Sequence, residues 1–171
     1  QTFAGDPIYR DGAGVAREEV ERRVEAWWRP YHGRIADALA QIRQEHGFAL
    51  LWDAHSIRGE VPRLFEGRLP ELNFGTNDGK SCPDTVLRRI MEAAAQLPYS
   101  TVANQRFKGG YITRHYGRPD EGVHAVQLEI AQRCYMDEST LGYDELRAGQ
   151  LSRAIETLLR LYVNAIRHIE S

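Results

Sequence analysis

An imidazole and a carboxylate lie two positions apart at the end of an apolar run. The apolar run Phe48–Trp52 indicates a buried strand of a parallel or mixed sheet over residues 48–54, with Asp53, His55 and Ser56 at its end. Side chains at positions i and i+2 of a strand share one face, so Asp53 and His55 point the same way. Ligands of open α/β sheets bind outside the carboxyl ends of strands. The pattern predicts His55 as a metal ligand or general base, with Asp53 or a backbone carbonyl orienting it.

Two alternatives accompany that prediction. A histidine at a strand terminus can simply be satisfied by a local hydrogen bond, without any role in chemistry. Ser56 could instead be a nucleophile, but no Gly-x-Ser-x-Gly turn surrounds it, and its being next to His55 in sequence does not make the two side chains meet.

A second apolar strand, Val123–Ile130, carries an acidic residue near its end. Alternation places Gln127 and Glu129 on one face and His124 on the other. Burying an unpaired charge has a cost on the order of several kcal/mol. A neighbouring metal ion or a cationic side chain would offset that cost. The pattern therefore predicts Glu129 as the general base for a metal-activated water. An ion pair with one of the many arginines is the alternative.

A basic loop surrounds the paired glycines Gly109-Gly110. Its polar members are Asn104, Arg106, Lys108 and Arg114. Glycine lets a backbone approach a ligand closely, and an arginine fork matches a carboxylate in bidentate fashion. The cluster predicts a clamp for an acidic substrate, and a solvated basic loop is the alternative.

Four other histidines give weaker signals. His32, His46 and His168 are interpreted as structural or exposed, and His124 as a core residue. No His-x-x-Glu or His-Glu-x-x-His motif occurs, so no complete zinc site can be assembled from a known local spacing.

Composition limits the class of protein. The chain has 171 residues, 42% hydrophobic and 27% charged, with a net charge of −2, which fits one globular domain spanning 1–171. That charge predicts no nucleic-acid partner, and no apolar run approaches the roughly 20 residues of a membrane span. Cys82 and Cys134 indicate neither a disulfide framework nor a zinc knuckle, so we expect a cytoplasmic protein.

Hydrophobic periodicity predicts helices alternating with strands. Besides the two strands above, the predicted elements are a helix over Glu18–Gln44 interrupted at Pro30, a helix from Pro83-Asp84 to Gln96, a short strand Tyr99–Ala103 and a helix Gln150–Ile169. Residues 56–83 and 104–122 are predicted as long polar loops. The pattern predicts an α/β fold with a mixed, mostly parallel sheet covered by helices on both faces.

Several longer segments together resemble the N-formylglutamate deformylase (N-formylglutamate amidohydrolase) family. They are Leu50–Ile57, Pro62–Phe65, Leu72–Thr76, Arg106–Pro119 and Gly122–Glu129, continuing to Tyr135-Met136. The resemblance runs from about Phe3 to Glu138.

That resemblance implies a fold and a site. The family is similar to aspartoacylase and to zinc-dependent exopeptidases, with their phosphorylase/hydrolase-like fold. His55 matches the family's late zinc ligand, and Glu129 matches its catalytic base. Family members carry an N-terminal portion that supplies the early metal ligands, so the resemblance implies that this chain is the C-terminal portion of an amidohydrolase domain.

The implied reaction is hydrolysis of N-formyl-L-glutamate to formate and glutamate in histidine degradation. The resemblance thus makes the partner a small acidic acyl amino acid. We assign its carboxylates to Arg106, Lys108 and Arg114, with Asn104 and Arg63 behind them. The alternatives are a zinc amidase or carboxypeptidase acting on another acidic acyl amino acid, and a non-catalytic binding or structural module or fragment. Oligomeric state is left open.

Overall fold

The computed structural model describes residues 1–2 and 5–170. Helical backbone runs from Arg17 to His46 in three consecutive segments: α1 (Arg17–Arg23), a π-helical turn (Val24–Trp28) and α2 (Arg29–His46). The predicted interruption is confirmed, because a wide turn ends at Trp28 and Pro30 is the second residue of α2, the helix that follows. Proline lacks an N–H and its ring crowds the carbonyl of the preceding turn, which disturbs the regular hydrogen bonding there.

Four strands form one mixed sheet in the described part of the chain. In chain order they are β1 (Ala49–Ile57), β2 (Leu72–Gly75), β3 (Thr101–Ala103) and β4 (Val123–Ala131). Their spatial order is β1-β4-β2-β3. The β1–β4 and β2–β3 pairs are parallel and the β2–β4 pair is antiparallel, which confirms a mixed, mostly parallel sheet.

One face of the sheet holds the main apolar core. Helices α3 (Asp84–Ala94) and α5 (Glu145–Glu170) cover this face. The core joins strand residues to helix residues, among them Phe74, Val126, Leu128, Ile90, Leu158, Tyr162 and Ile166. Burial of these side chains supplies most of the driving force for folding on this side.

The opposite face has two small apolar clusters separated by polar residues. Near the start of β1 and β4, Ala49 and Val123 pack against Leu39 of α2 and Tyr116 of α4 (Tyr111–Tyr116). At the other end, Ile57 packs against the long loop after β1. Helices therefore cover both faces, as predicted. Toward the strand ends, however, the buried polar residues Asp53, Gln127 and Glu129 lie between the two apolar clusters, and we call this region the polar gap.

The structure differs from the sequence prediction at the end of β1, in two short elements predicted as loops, and at the start of α5, which is Glu145 and not Gln150. Strand β1 extends to Ile57, so His55 lies within the strand and not after it. Strand β2 and helix α4 lie inside the two segments predicted as loops, 56–83 and 104–122, so those predictions were wrong in part. Both elements are too short, at 4 and 6 residues, to show a hydrophobic period.

The two cysteines are buried and not joined to each other. Burial raises the pKa of the Cys82 thiol to about 12 and that of Cys134 to about 11. We expect both thiols to react very slowly with a disulfide reagent at pH 8 in the native protein, and rapidly after unfolding in urea. Because the folded-state pKa is raised, the unfolded chain ionises first, and stability should decline as pH rises above the ordinary thiol pKa of 9. Rapid labelling of the folded protein would contradict this burial.

No helix among the described residues is long and apolar enough to span a membrane.

Candidate active site

Asp53 and His55 form a hydrogen-bonded pair on the polar face of β1. His55 Nε2 lies 2.8 Å from Asp53 Oδ1. Asp53 is 7% exposed, whereas the His55 side chain is 48% exposed. An ionised carboxylate only accepts hydrogen bonds, so in a neutral ring Nε2 of His55 carries the proton and Nδ1 keeps the lone pair. This is the arrangement by which a carboxylate orients a metal-binding histidine.

The second oxygen of Asp53 is held from another element. Thr113 Oγ1, on α4, donates a hydrogen bond to Asp53 Oδ2 at 3.1 Å. Thr113 is fully buried. The sequence does not reveal this residue, because nothing in the pattern of the basic loop indicates that it contacts a strand 60 positions earlier.

Glu129 lies directly beside His55. The two residues are paired across the parallel strands β1 and β4, so their side chains share the polar face. Glu129 is 8% exposed. Burial raises the pKa of its carboxyl group, an effect that His55 opposes and the Asp53 carboxylate reinforces. No arginine in the described part of the chain forms an ion pair with Glu129, so the structure does not support that alternative.

A buried asparagine supports Glu129 from the other side. Asn73 on β2 is paired with Glu129 in the antiparallel register. Its Nδ2 donates to the Glu129 carbonyl oxygen at 3.1 Å and to the Pro70 carbonyl oxygen at 2.8 Å. These bonds fix the backbone of β4 where the carboxylate leaves it.

Gln127 connects the sheet to the paired glycines. It is paired with Asp53 on β1 and with Gly75 on β2, so it shares the polar face with them. Its Oε1 accepts a hydrogen bond from the Gly110 N–H at 2.6 Å. This bond holds the start of α4 close to the strands.

Gly75 makes room for that glycine loop. A Cβ at Gly75 would lie 2.5 Å from the Gly109 nitrogen and 2.6 Å from the Lys108 carbonyl carbon. Both atoms belong to the backbone and cannot rotate away. We expect Gly75→Ala to lower the free energy of unfolding by about 1–3 kcal/mol, as overpacking typically does, measured by urea denaturation.

Gly33→Ala is the matched control for this prediction. A Cβ at Gly33 meets no atom within 4 Å, and the residue lies inside α2. Alanine favours helix over glycine, so Gly33→Ala should leave stability unchanged or raise it slightly. Equal stability of the two variants would argue against a tight fit at Gly75.

The two residues predicted to lie behind the clamp, Asn104 and Arg63, form hydrogen bonds with other loops of the protein. Asn104, with a left-handed φ of 51°, accepts a hydrogen bond from the Thr76 N–H at 2.8 Å and donates one to Thr76 Oγ1 at 2.9 Å. Arg63 donates to the Thr2 carbonyl oxygen at 2.7 Å. Both contacts hold loops together, and their roles toward a substrate stay predictions.

Two of the predicted clamp cations also have partners. Lys108 forms an exposed ion pair with Asp78 at 2.9 Å. The Arg106 guanidinium carbon lies 5.2 Å from the centre of the Phe65 ring. An exposed ion pair contributes little to stability, so Lys108 can exchange Asp78 for a ligand at small cost.

Of the three predicted clamp cations, only Arg114 lies on a helix. It follows Thr113 directly on α4, the helix that contacts Asp53. Its Nη1 donates to the Gly109 carbonyl oxygen at 2.7 Å, and the residue is exposed. Its role toward a substrate stays a prediction.

Ser56 lies on the opposite face of β1 from His55. Strand alternation separates the two side chains. The Ser56 hydroxyl lies 2.8 Å from the Tyr135 hydroxyl. The geometry therefore gives no support to a serine nucleophile activated by His55.

The described residues fit one position of a metal site, and not a whole one. Among residues 1–2 and 5–170, no group of three or more His, Cys, Asp and Glu side chains could hold a metal ion. His55 alone has the features of a ligand, namely an exposed ring and a carboxylate that orients it.

Comparison with known proteins places these residues in a known family. The profile of the N-formylglutamate amidohydrolase family matches residues 1–136. An N-formylglutamate deformylase of Pseudomonas aeruginosa is 57% identical over 138 residues, which are 80% of this chain and 52% of the relative. One from Pseudomonas putida is 49% identical, with the same coverage of 80% and 52%.

A solved structure is similar over nearly the whole chain. The N-formylglutamate amidohydrolase of Ralstonia eutropha JMP134 superposes with a TM-score of 0.82 at 26% identity. The match covers 96% of this chain and 60% of that protein. The chain thus spans about half the length of the curated relatives it matches. On the family profile and these identities, the chain belongs to the N-formylglutamate amidohydrolase family.

Proposed function

We propose that this chain provides the general base and one metal ligand for hydrolysis of N-formyl-L-glutamate to formate and L-glutamate. The observation that carries the proposal is the buried Glu129 carboxylate, placed beside an imidazole that Asp53 orients. Membership of the amidohydrolase family supports the same chemistry. The whole reaction needs residues beyond the half of a deformylase that this chain spans.

His55 would hold the metal through Nδ1. Its Nε2–H is used by Asp53, so Nδ1 is the ring nitrogen with an available lone pair. Zinc suits an imidazole ligand, and when bound it would polarise the formyl oxygen and lower the pKa of water. Further ligands would come from outside the described residues.

Glu129 would transfer the proton. As the water oxygen attacks the formyl carbon, the Glu129 carboxylate takes a proton from it. Glu129 then gives that proton to the amide nitrogen as the C–N bond breaks, releasing formate and the free amine of glutamate. The raised pKa of the buried carboxyl group suits proton transfer, because a pKa closer to neutral pH lets one group first take a proton and then give it up.

The basic loop would bind the two carboxylates of the substrate. Arg114 is our first candidate, and Arg106 and Lys108 lie in the same loop. Arg114→Ala should raise the KM for N-formyl-L-glutamate about tenfold while changing kcat/KM for a neutral N-formyl amino acid little, because only the acidic substrate loses an ion pair. Steady-state assays on both substrates check this.

Arg118→Ala is the control for that experiment. Arg118 lies in the same loop but faces Glu121, 3.7 Å away. It should leave both KM values near normal. Equal losses for acidic and neutral substrates in Arg114→Ala would mean that Arg114 has only a structural role.

The activity itself is tested by formate release. A deformylase of the relatives' length that contains this sequence should release formate from N-formyl-L-glutamate, lose activity to a chelator and regain it with zinc. Hydrolysis of N-acetyl-L-glutamate or of a peptide ending in glutamate, without formate release, would replace the proposed substrate. Absence of any hydrolysis and any bound zinc would favour a non-catalytic module.

The buried free thiols suit a reducing compartment, so we keep the cytoplasm as the proposed location.

A further inference from the structure

A chain of two hydrogen bonds runs from α4 to the candidate metal ligand. Thr113 Oγ1 donates to Asp53 Oδ2 at 3.1 Å, and His55 Nε2 lies 2.8 Å from Asp53 Oδ1. Thr113 and Asp53 are both buried, whereas His55 is half exposed. Of these three side chains, only the His55 ring, which would meet a metal, reaches solvent to a large extent.

We propose that Thr113 is a positioning residue, which fixes the tautomer and ring orientation of His55 through Asp53. A carboxylate held at one oxygen can turn about its terminal bond. With both oxygens held, its plane is set and it accepts the Nε2 proton along one direction. His55 then presents Nδ1 to the open side. The inference rests on the proposed function only in taking a metal as what Nδ1 would bind.

The first turn of α4 is built to hold the Thr113 hydroxyl in place. Gly109 has a φ of +114°, and a Cβ there would lie 2.8 Å from Thr113 Cγ2. The missing side chain leaves room for the threonine methyl group to pack against the loop. The adjacent Gly110 N–H is bound by Gln127 Oε1 on β4 at 2.6 Å. The methyl group and the hydroxyl of Thr113 thus have separate contacts.

The last turn of α4 is anchored to α2. The Tyr116 hydroxyl donates to the His32 carbonyl oxygen at 2.9 Å and lies 2.7 Å from His32 Nδ1. Gly117 follows, and a Cβ there would lie 2.7 Å from the Thr113 carbonyl oxygen. The helix is therefore fixed at both ends, so that a hydroxyl in its middle can aim at one oxygen of Asp53.

The imidazole nitrogen spectrum of His55 tests this assignment directly. Two-dimensional nitrogen–proton NMR on this chain, without metal and at a pH where the ring is neutral, distinguishes protonation at Nε2 from protonation at Nδ1. We expect the Nε2–H tautomer to dominate in the native chain and in Thr113→Ser. In Thr113→Val, which keeps the shape but removes the donor, the two tautomers should mix.

Stability measurements and a control separate positioning from packing. Thr157→Val removes a hydroxyl that donates to the Arg153 carbonyl oxygen on the exposed face of α5, and it should not change the His55 spectrum. A purely structural Thr113 would make Thr113→Ser the more harmful change, because serine lacks the packed methyl group. If Thr113→Val does not fold, as judged by urea denaturation, Thr113→Ala removes the hydroxyl without adding bulk.

Zinc affinity gives a second measurement in a deformylase of the relatives' length. We expect Thr113→Val to weaken zinc binding about tenfold and Thr113→Ser less than twofold, as measured by competition with a chromophoric chelator. An unchanged His55 spectrum in a folded Thr113→Val would overturn the inference, even in an enzyme that releases formate. A tautomer shift in a protein that releases no formate would support the inference and count against the proposed function.

Discussion

Glu129→Gln should reduce the kcat of a full-length deformylase containing this chain by about 10²–10⁴-fold, the range that general acid–base catalysis contributes. Glutamine has the shape of glutamate but cannot accept a proton from water. Burial raises the pKa of the Glu129 carboxyl group, which means that burial disfavours its charged form. The substitution removes that buried charge, so the variant should fold at least as stably. Bound zinc and the KM for N-formyl-L-glutamate should stay close to normal.

Glu156→Gln provides the control for this prediction. Glu156 forms an exposed ion pair with Arg160 on α5 at 2.7 Å, and α5 covers the other face of the sheet. The same chemical change there should leave kcat unchanged. Near-normal turnover in Glu129→Gln would reject Glu129 as the base, whatever its position beside His55.

His55→Ala should weaken zinc binding by roughly 100-fold or more, beyond the 10–100-fold range typical of a residue that only orients a ligand. The substitution removes the half-exposed imidazole that Asp53 orients. Formate release should fall in parallel and recover in part at high zinc concentration. Zinc competition and activity assays on the same preparation measure both effects.

His46→Ala is the matched control for His55→Ala. His46 ends α2 and is exposed, and its nearest acidic neighbour is Glu45. Removing that imidazole should change neither zinc affinity nor turnover. Unchanged zinc affinity in His55→Ala would assign the metal to other residues and would leave the Asp53–His55 hydrogen bond as a structural contact.

The polar gap is a group of buried polar side chains in a sheet that is otherwise apolar at its core. Asp53, Gln127 and Glu129 are all buried on one face of a sheet whose other face is an apolar core. Burial of polar groups costs free energy unless they are hydrogen-bonded. Asp53 and Gln127 have hydrogen-bond partners, whereas the Glu129 carboxylate has His55 beside it and is repelled by the Asp53 carboxylate. A group kept at such a cost is a candidate for chemistry.

The basic loop makes contacts that its own sequence does not predict. Its composition predicts a clamp, and the structure shows Lys108 with Asp78 and Arg106 on Phe65. Neither partner could be predicted, because each lies about 30 or more positions away in a segment without periodicity. The loop also contains α4, which the sequence did not reveal because six residues between glycines show no helical period.

The sequence by itself determined which side chains share a face. Asp53 with His55, and Gln127 with Glu129, could be assigned because strand alternation depends only on consecutive residues. Only the tertiary structure decided that β1 and β4 are neighbours in a register that sets His55 beside Glu129, and that Thr113 reaches Asp53. Those contacts join residues 60 or more positions apart, and they depend on how strands pair and how α4 docks, which no local pattern encodes.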